Sequence, residues 1–329
     1  MRARSIAAFL LALGLPVSSV PTPDLAKRTS RTTAPSGCLT VGSSETYTTI
    51  ASALDALGTS STADACIFVS DGTYAEQLTI TYKGSLTLYG STKDTGTYKS
   101  NTVTITHTIK SADAGSLDAS STVNVKADGF NMYNINVVNG YGAGAQAVAL
   151  TANADKLGFY GCQFKSYQDT LYAKSGTQYY SNCYIEGAVD YIFGAASAWF
   201  GECTIASSGG GAITASSRET ADDESWYVVD SSTVTAASGV SGLAEKVFLG
   251  RPWRVLARVV FQNSKLADMI NPQGWTTMAE GATPLYYEWN NEGDGASTAE
   301  RQYESALDAA VTHETVLGSD YKSWIDSSY

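Results

Sequence analysis

Short apolar strands separated by turns follow one another along most of this chain, and several of them share one pattern. An apolar or aromatic residue is followed three positions later by a second key residue, and two positions after that by another apolar residue. Three consecutive copies are Phe159/Cys162/Phe164, Tyr180/Cys183/Ile185 and Phe200/Cys203/Ile205. A period of roughly twenty residues, with one short strand in each repeat, is typical of a solenoid.

The pattern continues on both sides of these copies at less regular intervals. Further copies are Phe130/Tyr133/Ile135, Val229/Ser232/Val234 and Phe261/Ser264/Leu266. A parallel β-helix produces unequal intervals because insertions are confined to its turns while the stacked strands keep their register. An antiparallel sandwich would need hairpin turns between its strands, and Asn139-Gly140 is an isolated example. We therefore predict an all-β fold of the parallel β-helix type.

Local patterns place individual elements along this solenoid. A helix is predicted near its start, at Ser52–Leu57. The predicted early strands are Cys66–Val69, Leu86–Tyr89, Thr102–Thr106, Val123–Val125 and Phe130–Val138. Near the C-terminus the period is lost, and Ser297 has the character of an N-cap with Glu300 three positions on. This predicts a helix from Thr298 to Ala310, packed along the side of the solenoid.

The first residues differ in character from the rest of the chain. Two arginines precede an apolar run from Ile6 to Leu15, and small residues follow it, which is the pattern of a signal peptide. We predict a signal peptide at residues 1–19, a flexible leader open to processing at residues 20–34, and a single β-helix domain at residues 35–329. The mature protein is therefore expected outside the cell.

Charge and composition restrict the partners. The chain has 21 basic and 32 acidic residues, for a net charge of −11. This disfavours nucleic acid and anionic membranes, and it favours a neutral or esterified substrate over a strongly anionic polymer. The acidic composition also fits work at mildly acidic pH. We expect a monomer without a membrane span.

Cysteines and histidines narrow the chemistry further. Cys38 and Cys66 could pair in a disulfide, whereas the three cysteines of the repeats are expected to form an internal ladder, with a disulfide between neighbouring rungs also open. The chain has two histidines, and neither lies in a Gly-x-Ser-x-Gly context or near the repeats that carry acidic residues. Metal-ligand spacing such as Cys-x-x-Cys does not occur. We therefore expect no metal and no cofactor.

Two aspartates are the main candidates for chemistry. Asp169 and Asp190 are separated by one repeat period, so in a β-helix they lie on adjacent coils, about 4.8 Å apart along the axis. Two carboxylates this close do not both ionise easily, so one is expected to hold a proton while the other remains a carboxylate. A ladder of solvated or turn-capping aspartates is the structural alternative.

Other polar residues fall within a few coils of this pair. Arg251, in Leu249-Gly250-Arg251-Pro252-Trp253, could bind the carboxylate of Asp190 through two hydrogen bonds. Trp253 offers a flat face on which a sugar ring can stack. Gln146 and Gln168 could supply amide donors to an oxyanion from neighbouring coils. Each has a structural alternative, such as a surface turn or an amide ladder, and the convergence of all of them favours a catalytic site.

Several segments resemble the signature motifs of the pectin methylesterase family. They are Gly72-Thr73-Tyr74-Ala75-Glu76, Gln146-Ala147-Val148-Ala149-Leu150, Gln168-Asp169-Thr170-Leu171-Tyr172, Asp190-Tyr191-Ile192-Phe193-Gly194 and Leu249-Gly250-Arg251-Pro252-Trp253. A looser match follows at Glu288-Trp289-Asn290-Asn291. Tyr191 is a departure, because many plant members carry phenylalanine there. The short leader is more similar to that of fungal members.

This resemblance implies a right-handed parallel β-helix and the hydrolysis of methyl esters of galacturonate units in pectin. It implies that Asp190 is the nucleophile and that Asp169 is first the general acid and then the base. It implies further that Gln146 and Gln168 hold the oxyanion and that Arg251 fixes Asp190. Trp253 and Tyr172 are expected to line the substrate cleft.

Two other function classes remain open on the residues alone. A β-helical glycosidase or lyase could act on the same polymer, and a retaining glycosidase would also use two close carboxylates. A carbohydrate-binding solenoid without catalysis would need neither oxyanion donors nor an arginine beside the carboxylates. The esterase hypothesis accounts for all of these groups.

Overall fold

The computed structural model describes residues 29–329, which form a parallel β-helix as predicted. Each full coil contributes one strand to each of three sheets, and all strand pairs between neighbouring coils are parallel. We number the sheets in the order in which the chain visits them within a coil.

The first sheet has ten strands, which are Leu39–Val41, Ala65–Val69, Leu86–Gly90, Asn131–Tyr133, Leu157–Tyr160, Thr177–Ser181, Ser197–Gly201, Tyr227–Asp230, Arg258–Gln262 and Leu285–Trp289. The second sheet has eight, which are Gly72–Tyr74, Val103–His107, Asn136–Asn139, Gln163–Lys165, Tyr184–Gly187, Thr204–Ser207, Thr233–Ala236 and Lys265–Leu266. The third sheet has seven, which are Leu78–Ile80, Val123–Val125, Leu150–Asn153, Leu171–Ser175, Ile192–Gly194, Gly211–Ser216 and Val247–Gly250.

Helices are few and short in the described part of the chain. The α-helices are Ile50–Leu57, Ser111–Ala114, Leu117–Ser120 and His313–Leu317, and two 3₁₀ turns are Tyr98–Ser100 and Tyr321–Ser323. The first confirms the predicted N-terminal helix and begins two residues earlier. Its first backbone N–H groups are bound by the carboxylate of Glu76, at 2.9 Å from both Ile50 and Ala51, which satisfies donors that a helix start leaves unpaired.

A sharp bend joins the first and second sheets in successive coils. The residue at the bend has a left-handed backbone conformation, with φ of 53° at Asn134, 58° at Gly161 and 53° at Asn182. Asparagine and glycine tolerate this conformation better than most residues. The bend at Asn134 divides the single strand predicted at Phe130–Val138 into two strands that belong to different sheets.

Side chains that point inward stack from coil to coil along the core. The rings of Phe159, Tyr180 and Phe200 are parallel to within 14°, with centroids 4.8 Å and 4.7 Å apart. The repeat pattern therefore gave the correct register for these coils. It was wrong for the coil before them, where Met132 and not Phe130 pairs with Phe159. Phe130 packs beside the Phe159 ring, with ring centroids 6.3 Å apart. The register was misassigned here because Phe130, an aromatic residue close to the strand, also fits the pattern.

Two of the five cysteines form a disulfide and the other three are free, which is one of the predicted alternatives. Cys38 and Cys66 form a disulfide, with Cα atoms 4.6 Å apart. Cys38 directly precedes the strand Leu39–Val41 of the first sheet, and Cys66 lies in the neighbouring strand Ala65–Val69. Cys162, Cys183 and Cys203 are free and buried, so the ladder carries no disulfide.

The helix predicted at Thr298–Ala310 is wrong, because that segment is extended and turned in the structure. Arg301 explains the difference. Its side chain is 1% exposed and forms an ion pair with Glu288, at 2.6 Å between Nε and Oε1, while it also donates to the carbonyls of Pro272 and Gly295. These buried contacts outweigh the local capping signal.

The C-terminal segment packs against the outer face of the first sheet. A short helix at His313–Leu317 is capped at its N-terminus by Thr312, whose hydroxyl accepts a hydrogen bond from the N–H of Thr315. The His313 ring stacks on Trp199 at 3.8 Å between centroids. The end of the chain reaches Tyr133, whose ring lies 5.4 Å from that of Tyr329. The predicted packing along the side of the solenoid is therefore found for this later segment.

The predicted signal peptide at residues 1–19 and most of the predicted leader lie outside the described residues. Contacts with the β-helix begin before residue 35, because the Arg31 guanidinium donates to Asn134 at 2.7 Å and lies over the Tyr89 ring. Within residues 29–329, helices of the length and apolarity required to cross a membrane do not occur.

Candidate active site

The two candidate aspartates lie at the entrance to neighbouring strands of the third sheet. Gln168 and Val189 form a parallel bridge, so the residues that follow them, Asp169 and Asp190, are in register on adjacent coils. Both have a left-handed backbone, with φ of 63° and 49°. Aspartate adopts this conformation more readily than most residues, and it places a bend where the strand begins. The backbone therefore places Asp169 and Asp190 next to each other, as predicted.

Arg251 holds Asp190 through both carboxylate oxygens. Its Nε donates to Oδ1 at 2.8 Å, and its Nη2 donates to Oδ2 at 2.7 Å. Arg251 follows the strand Val247–Gly250 of the third sheet, and its backbone N–H donates to Thr214. The ion pair raises the pKa of Arg251 further above its ordinary value. The two hydrogen bonds fix the orientation of the Asp190 carboxylate and compensate its negative charge.

Asp169 has a different environment, although it belongs to the same pair. It is 3% exposed, and its Oδ2 accepts one hydrogen bond from Gln146 Nε2 at 2.7 Å. Burial, followed by the negative charge of Asp190, raises the pKa of Asp169 to about 7, while the Gln146 hydrogen bond and Arg251 oppose this shift in part. Near neutral pH this carboxyl group can therefore exist in either form, so it can donate and accept a proton.

The two carboxyl groups thus have different surroundings. Arg251 compensates Asp190 directly, whereas Asp169 has an amide as its hydrogen-bond partner and faces a neighbouring negative charge. A pair of titratable groups with such different surroundings is a common feature of acid–base sites.

The two glutamines lie on successive coils next to the aspartates. Gln146 and Gln168 form a parallel bridge, which places their side chains on one edge of the third sheet. The Gln146 amide donates to Asp169, whereas the Gln168 side chain makes no hydrogen bond with any residue from 29 to 329. The Gln168 amide is therefore free to donate to a bound group.

An aromatic cluster lies on the outer face of the third sheet beside the aspartates. The rings of Tyr172 and Phe193 are stacked, with centroids 4.3 Å apart and planes 9° apart. Trp253 lies against both rings, at 6.4 Å from Tyr172 and 5.8 Å from Phe193. All seven residues singled out from the sequence therefore fall on one edge and face of the third sheet.

Sequence reasoning missed two features of this face. Phe193 was named only as part of the motif that begins at Asp190 and not as a partner of Tyr172, although the same period that aligns the aspartates also aligns these rings. The second feature is an ion pair between Lys174 and Asp118, whose two oxygens lie 2.9 Å and 2.8 Å from the Lys174 nitrogen. Only the folded chain brings these two residues together.

The sequence model of the family described as Pectinesterase matches residues 39–327. A relative named probable pectinesterase A, from Aspergillus niger, is 68% identical over 320 residues, which are 97% of this chain and 97% of the relative.

Solved structures agree with these sequence matches. The pectin methylesterase from Aspergillus niger has a TM-score of 0.90 and 71% identity, over 91% of this chain and 100% of that chain. A mutant pectin methylesterase in complex with a hexasaccharide has a TM-score of 0.71 and 25% identity, over 87% and 98%. Because the family match spans almost the whole β-helix and includes every residue of the site described above, this chain belongs to the pectinesterase family of carboxylic ester hydrolases.

Proposed function

We propose that this enzyme hydrolyses the methyl esters of galacturonate units in pectin, with Asp190 as nucleophile and Asp169 as acid and base. The observation that carries this assignment is the two-point ion pair between Arg251 and Asp190 beside a buried, singly hydrogen-bonded Asp169. A nucleophilic carboxylate must be ionised, and a general acid must hold a proton near the working pH. Each aspartate has the surroundings that its role requires.

In the first step, an oxygen of Asp190 attacks the ester carbonyl carbon, and negative charge develops on the carbonyl oxygen. The amides of Gln168 and Gln146 donate to this oxygen, and Gln146 turns toward it from Asp169. The bond between the carbonyl carbon and the methoxy oxygen then breaks. Asp169 gives its proton to that oxygen, so methanol leaves and a covalent anhydride joins Asp190 to the galacturonate unit.

In the second step, the ionised Asp169 takes a proton from water, and the resulting hydroxide attacks the galacturonyl carbon. The bond to Asp190 breaks, which releases the galacturonate acid, frees Asp190 and leaves Asp169 protonated for the next cycle. The sum of the two steps is ester and water to acid and methanol. The proton therefore alternates between Asp169 and the reacting groups.

The aromatic cluster of Tyr172, Phe193 and Trp253 supplies the surface on which the polymer rests. Its rings lie on the outer face of the same sheet whose edge carries the aspartates. Flat apolar rings of this kind bind the apolar faces of sugar rings. The hexasaccharide complex of the related pectin methylesterase supports an extended sugar chain as the ligand.

The test pairs two assays on highly methylated pectin, methanol release and formation of new chain ends, for the wild type and Asp190→Asn. Asparagine keeps the size of the side chain and tolerates the left-handed φ, so the substitution removes mainly the negative charge. We expect the wild type to release methanol without cutting the chain, and the variant to fall to background. The exposed Asp64→Asn variant should match the wild type.

New reducing ends or unsaturated products from the wild type would instead identify a depolymerase, and no product of either kind would leave a binding solenoid. Full methanol release by Asp190→Asn would refute the nucleophile assignment while leaving the esterase activity in place.

The same proposal places the enzyme outside the cell, because pectin is an extracellular polymer and residues 1–19 have the pattern of a signal peptide. N-terminal sequencing of protein recovered from the medium of an expressing host would test this. A mature start after residue 19 supports export, and retention of the intact N-terminus inside the cell contradicts it.

A further inference from the structure

The strand Gly211–Ser216 lies between the two partners of the ion pair described above. Asp190 precedes the strand Ile192–Gly194 on one side of it, and Arg251 follows the strand Val247–Gly250 on the other side. Adjacent strands are about 4.8 Å apart, so the coil of the arginine is roughly 10 Å along the axis from that of the aspartate. The arginine side chain has to cross this strand to reach Asp190, and its direction therefore depends on how the strand holds the backbone around Arg251.

Both partners of the ion pair are attached to this strand through their backbones. The N–H of Asp190 donates to the carbonyl of Ala212 at 2.7 Å, and the N–H of Arg251 donates to the carbonyl of Thr214 at 2.9 Å. The carboxylate and the guanidinium are therefore held relative to each other by one shared strand, in addition to the two hydrogen bonds between them.

Thr214 makes a second contact with the segment that carries the arginine. Its side chain is fully buried, and its Oγ1 donates to the carbonyl of Leu249 at 2.9 Å. Together with the backbone bond to Arg251, this contact holds the chain on both sides of Gly250. A β-carbon on Gly250 would overlap the Thr214 hydroxyl, so this close approach requires glycine.

Packing alone does not account for a hydroxyl at this position. A buried hydroxyl costs free energy unless it is hydrogen-bonded, and valine has nearly the same shape without that cost. The bond from Thr214 to Leu249 offsets the cost, and it also fixes a carbonyl only two residues before Arg251. Neither of the two chemical steps proposed above uses the hydroxyl, so its connection with them runs through the arginine.

We propose that Thr214 is a positioning residue, whose hydroxyl orients Arg251 and, through it, the attacking carboxylate of Asp190. The inference rests on the function proposed above. The hydroxyl and the carbonyl of Thr214 fix the arginine segment at two points, so the guanidinium keeps the direction in which both of its hydrogen bonds to Asp190 form. A misplacement of about 1 Å near a reacting group can cost roughly a hundredfold in rate, and a smaller displacement of Arg251 should cost less.

Thr214→Val tests the hydroxyl, because valine keeps the branched shape and cannot donate a hydrogen bond. We expect kcat for methanol release from highly methylated pectin to fall roughly three- to tenfold, which is the effect of about one lost hydrogen bond. KM should be unchanged, since the buried side chain does not belong to the surface that binds the polymer. Thr214→Ser keeps the hydroxyl and should retain most of the wild-type kcat.

Thr122→Val is the matched control for the loss of a buried hydroxyl. Thr122 is also fully buried, and its Oγ1 also donates to a backbone carbonyl, that of Val138, at 3.0 Å. It directly precedes the strand Val123–Val125, two coils before Asp169. Thr122→Val should lower the midpoint of denaturant unfolding about as much as Thr214→Val does, and it should leave kcat unchanged. An equal fall in kcat for both valine variants would overturn the proposal.

A double-mutant cycle separates positioning of the arginine from a general loosening of the coil. If the hydroxyl acts through Arg251, Thr214→Val should lower kcat in the wild type and not lower it further in Arg251→Gln. An equal further loss in Arg251→Gln would overturn the proposal, and so would a wild-type kcat in folded Thr214→Val.

The serine variant keeps the test independent of folding. Should Thr214→Val not fold, Thr214→Ala is compared with Thr214→Ser, and the alanine variant is expected to have the lower kcat by the same three- to tenfold, again roughly one hydrogen bond. Equal kcat values for the two would assign the effect to packing and overturn the role of the hydroxyl. A failure of the proposed function is a different result, because the wild type itself would then release no methanol.

Discussion

Arg251 binds Asp190 through two hydrogen bonds of 2.8 Å and 2.7 Å across 61 residues of sequence, and the neighbouring Asp169 has no such partner. Two strands of the third sheet begin two residues after the aspartates, and a third ends just before the arginine. The β-helix therefore brings three segments that are distant in sequence into one charged site with a fixed geometry.

Replacing Arg251 should reduce turnover more than binding. Arg251→Gln removes the charge and the two-point contact, so Asp190 loses its orientation, and we expect kcat to fall roughly a hundredfold or more. Arg251→Lys keeps the charge but cannot make the two-point contact, so its kcat should fall less. Methanol release at saturating pectin measures both. The exposed Lys265→Gln is the control, and an Arg251→Gln enzyme with wild-type kcat would contradict the assignment.

The rate of methanol release should fall as pH rises above neutrality. Burial and the charge of Asp190 raise the pKa of Asp169 to about 7, and the first step needs its protonated form. Above that pKa the protonated fraction falls about tenfold for each pH unit. Initial rates measured across pH on one substrate check this. An optimum well above neutrality would show that Asp169 is not the acid.

Ionisation of the buried Asp169 should lower the free energy of unfolding, by an amount that depends on pH. Its pKa is raised in the folded state from an ordinary value of 3.8, so the folded state is penalised increasingly as pH rises from about 4 to 7 and constantly above that. Asp169→Asn should therefore raise the free energy of unfolding by on the order of 2–4 kcal/mol at pH 8 and by little at pH 4. Denaturant titrations at the two pH values measure it. A gain that does not depend on pH would refute this linkage, and the exposed Asp64→Asn should show none.

Removal of the Trp253 ring should weaken substrate binding. The indole lies against Tyr172 and Phe193 and is half-buried, so its free face is available to a sugar ring. We expect Trp253→Ala to raise KM for pectin roughly tenfold, with a smaller change in kcat. Trp226→Ala, directly before the strand Tyr227–Asp230 of the first sheet, is the matched control. If the two variants had the same KM, Trp253 would not contact the substrate.

The buried ion pair between Arg301 and Glu288 should be important for stability. The two side chains are 1% and 2% exposed, so Arg301→Met leaves an unpaired buried carboxylate. We expect a loss of about 3–5 kcal/mol in the free energy of unfolding. Lys156→Met breaks the pair with Asp320, which is about half exposed, and should cost under about 1 kcal/mol. Thermal or denaturant unfolding compares them, and equal losses would refute the argument.

The sequence was most reliable where a repeat could be counted. Asp169 and Asp190 follow the same period as the rings of Phe159 and Tyr180, so their adjacency follows from the fold. It was least reliable where the decisive contact has no local signal. The helix predicted at Thr298–Ala310 fails because Arg301 is drawn into a buried ion pair, and Phe130 was assigned a position that Met132 occupies.

By itself, then, the sequence determined the parallel β-helix, its approximate coil boundaries and the motif residues that the resemblance to the family identified, because stacking fixes the distance between residues one period apart. Only the tertiary structure decided how each group is charged and partnered. Burial of Asp169 and the two bonds from Arg251 to Asp190 depend on atoms from several coils, and no single segment of the chain encodes them.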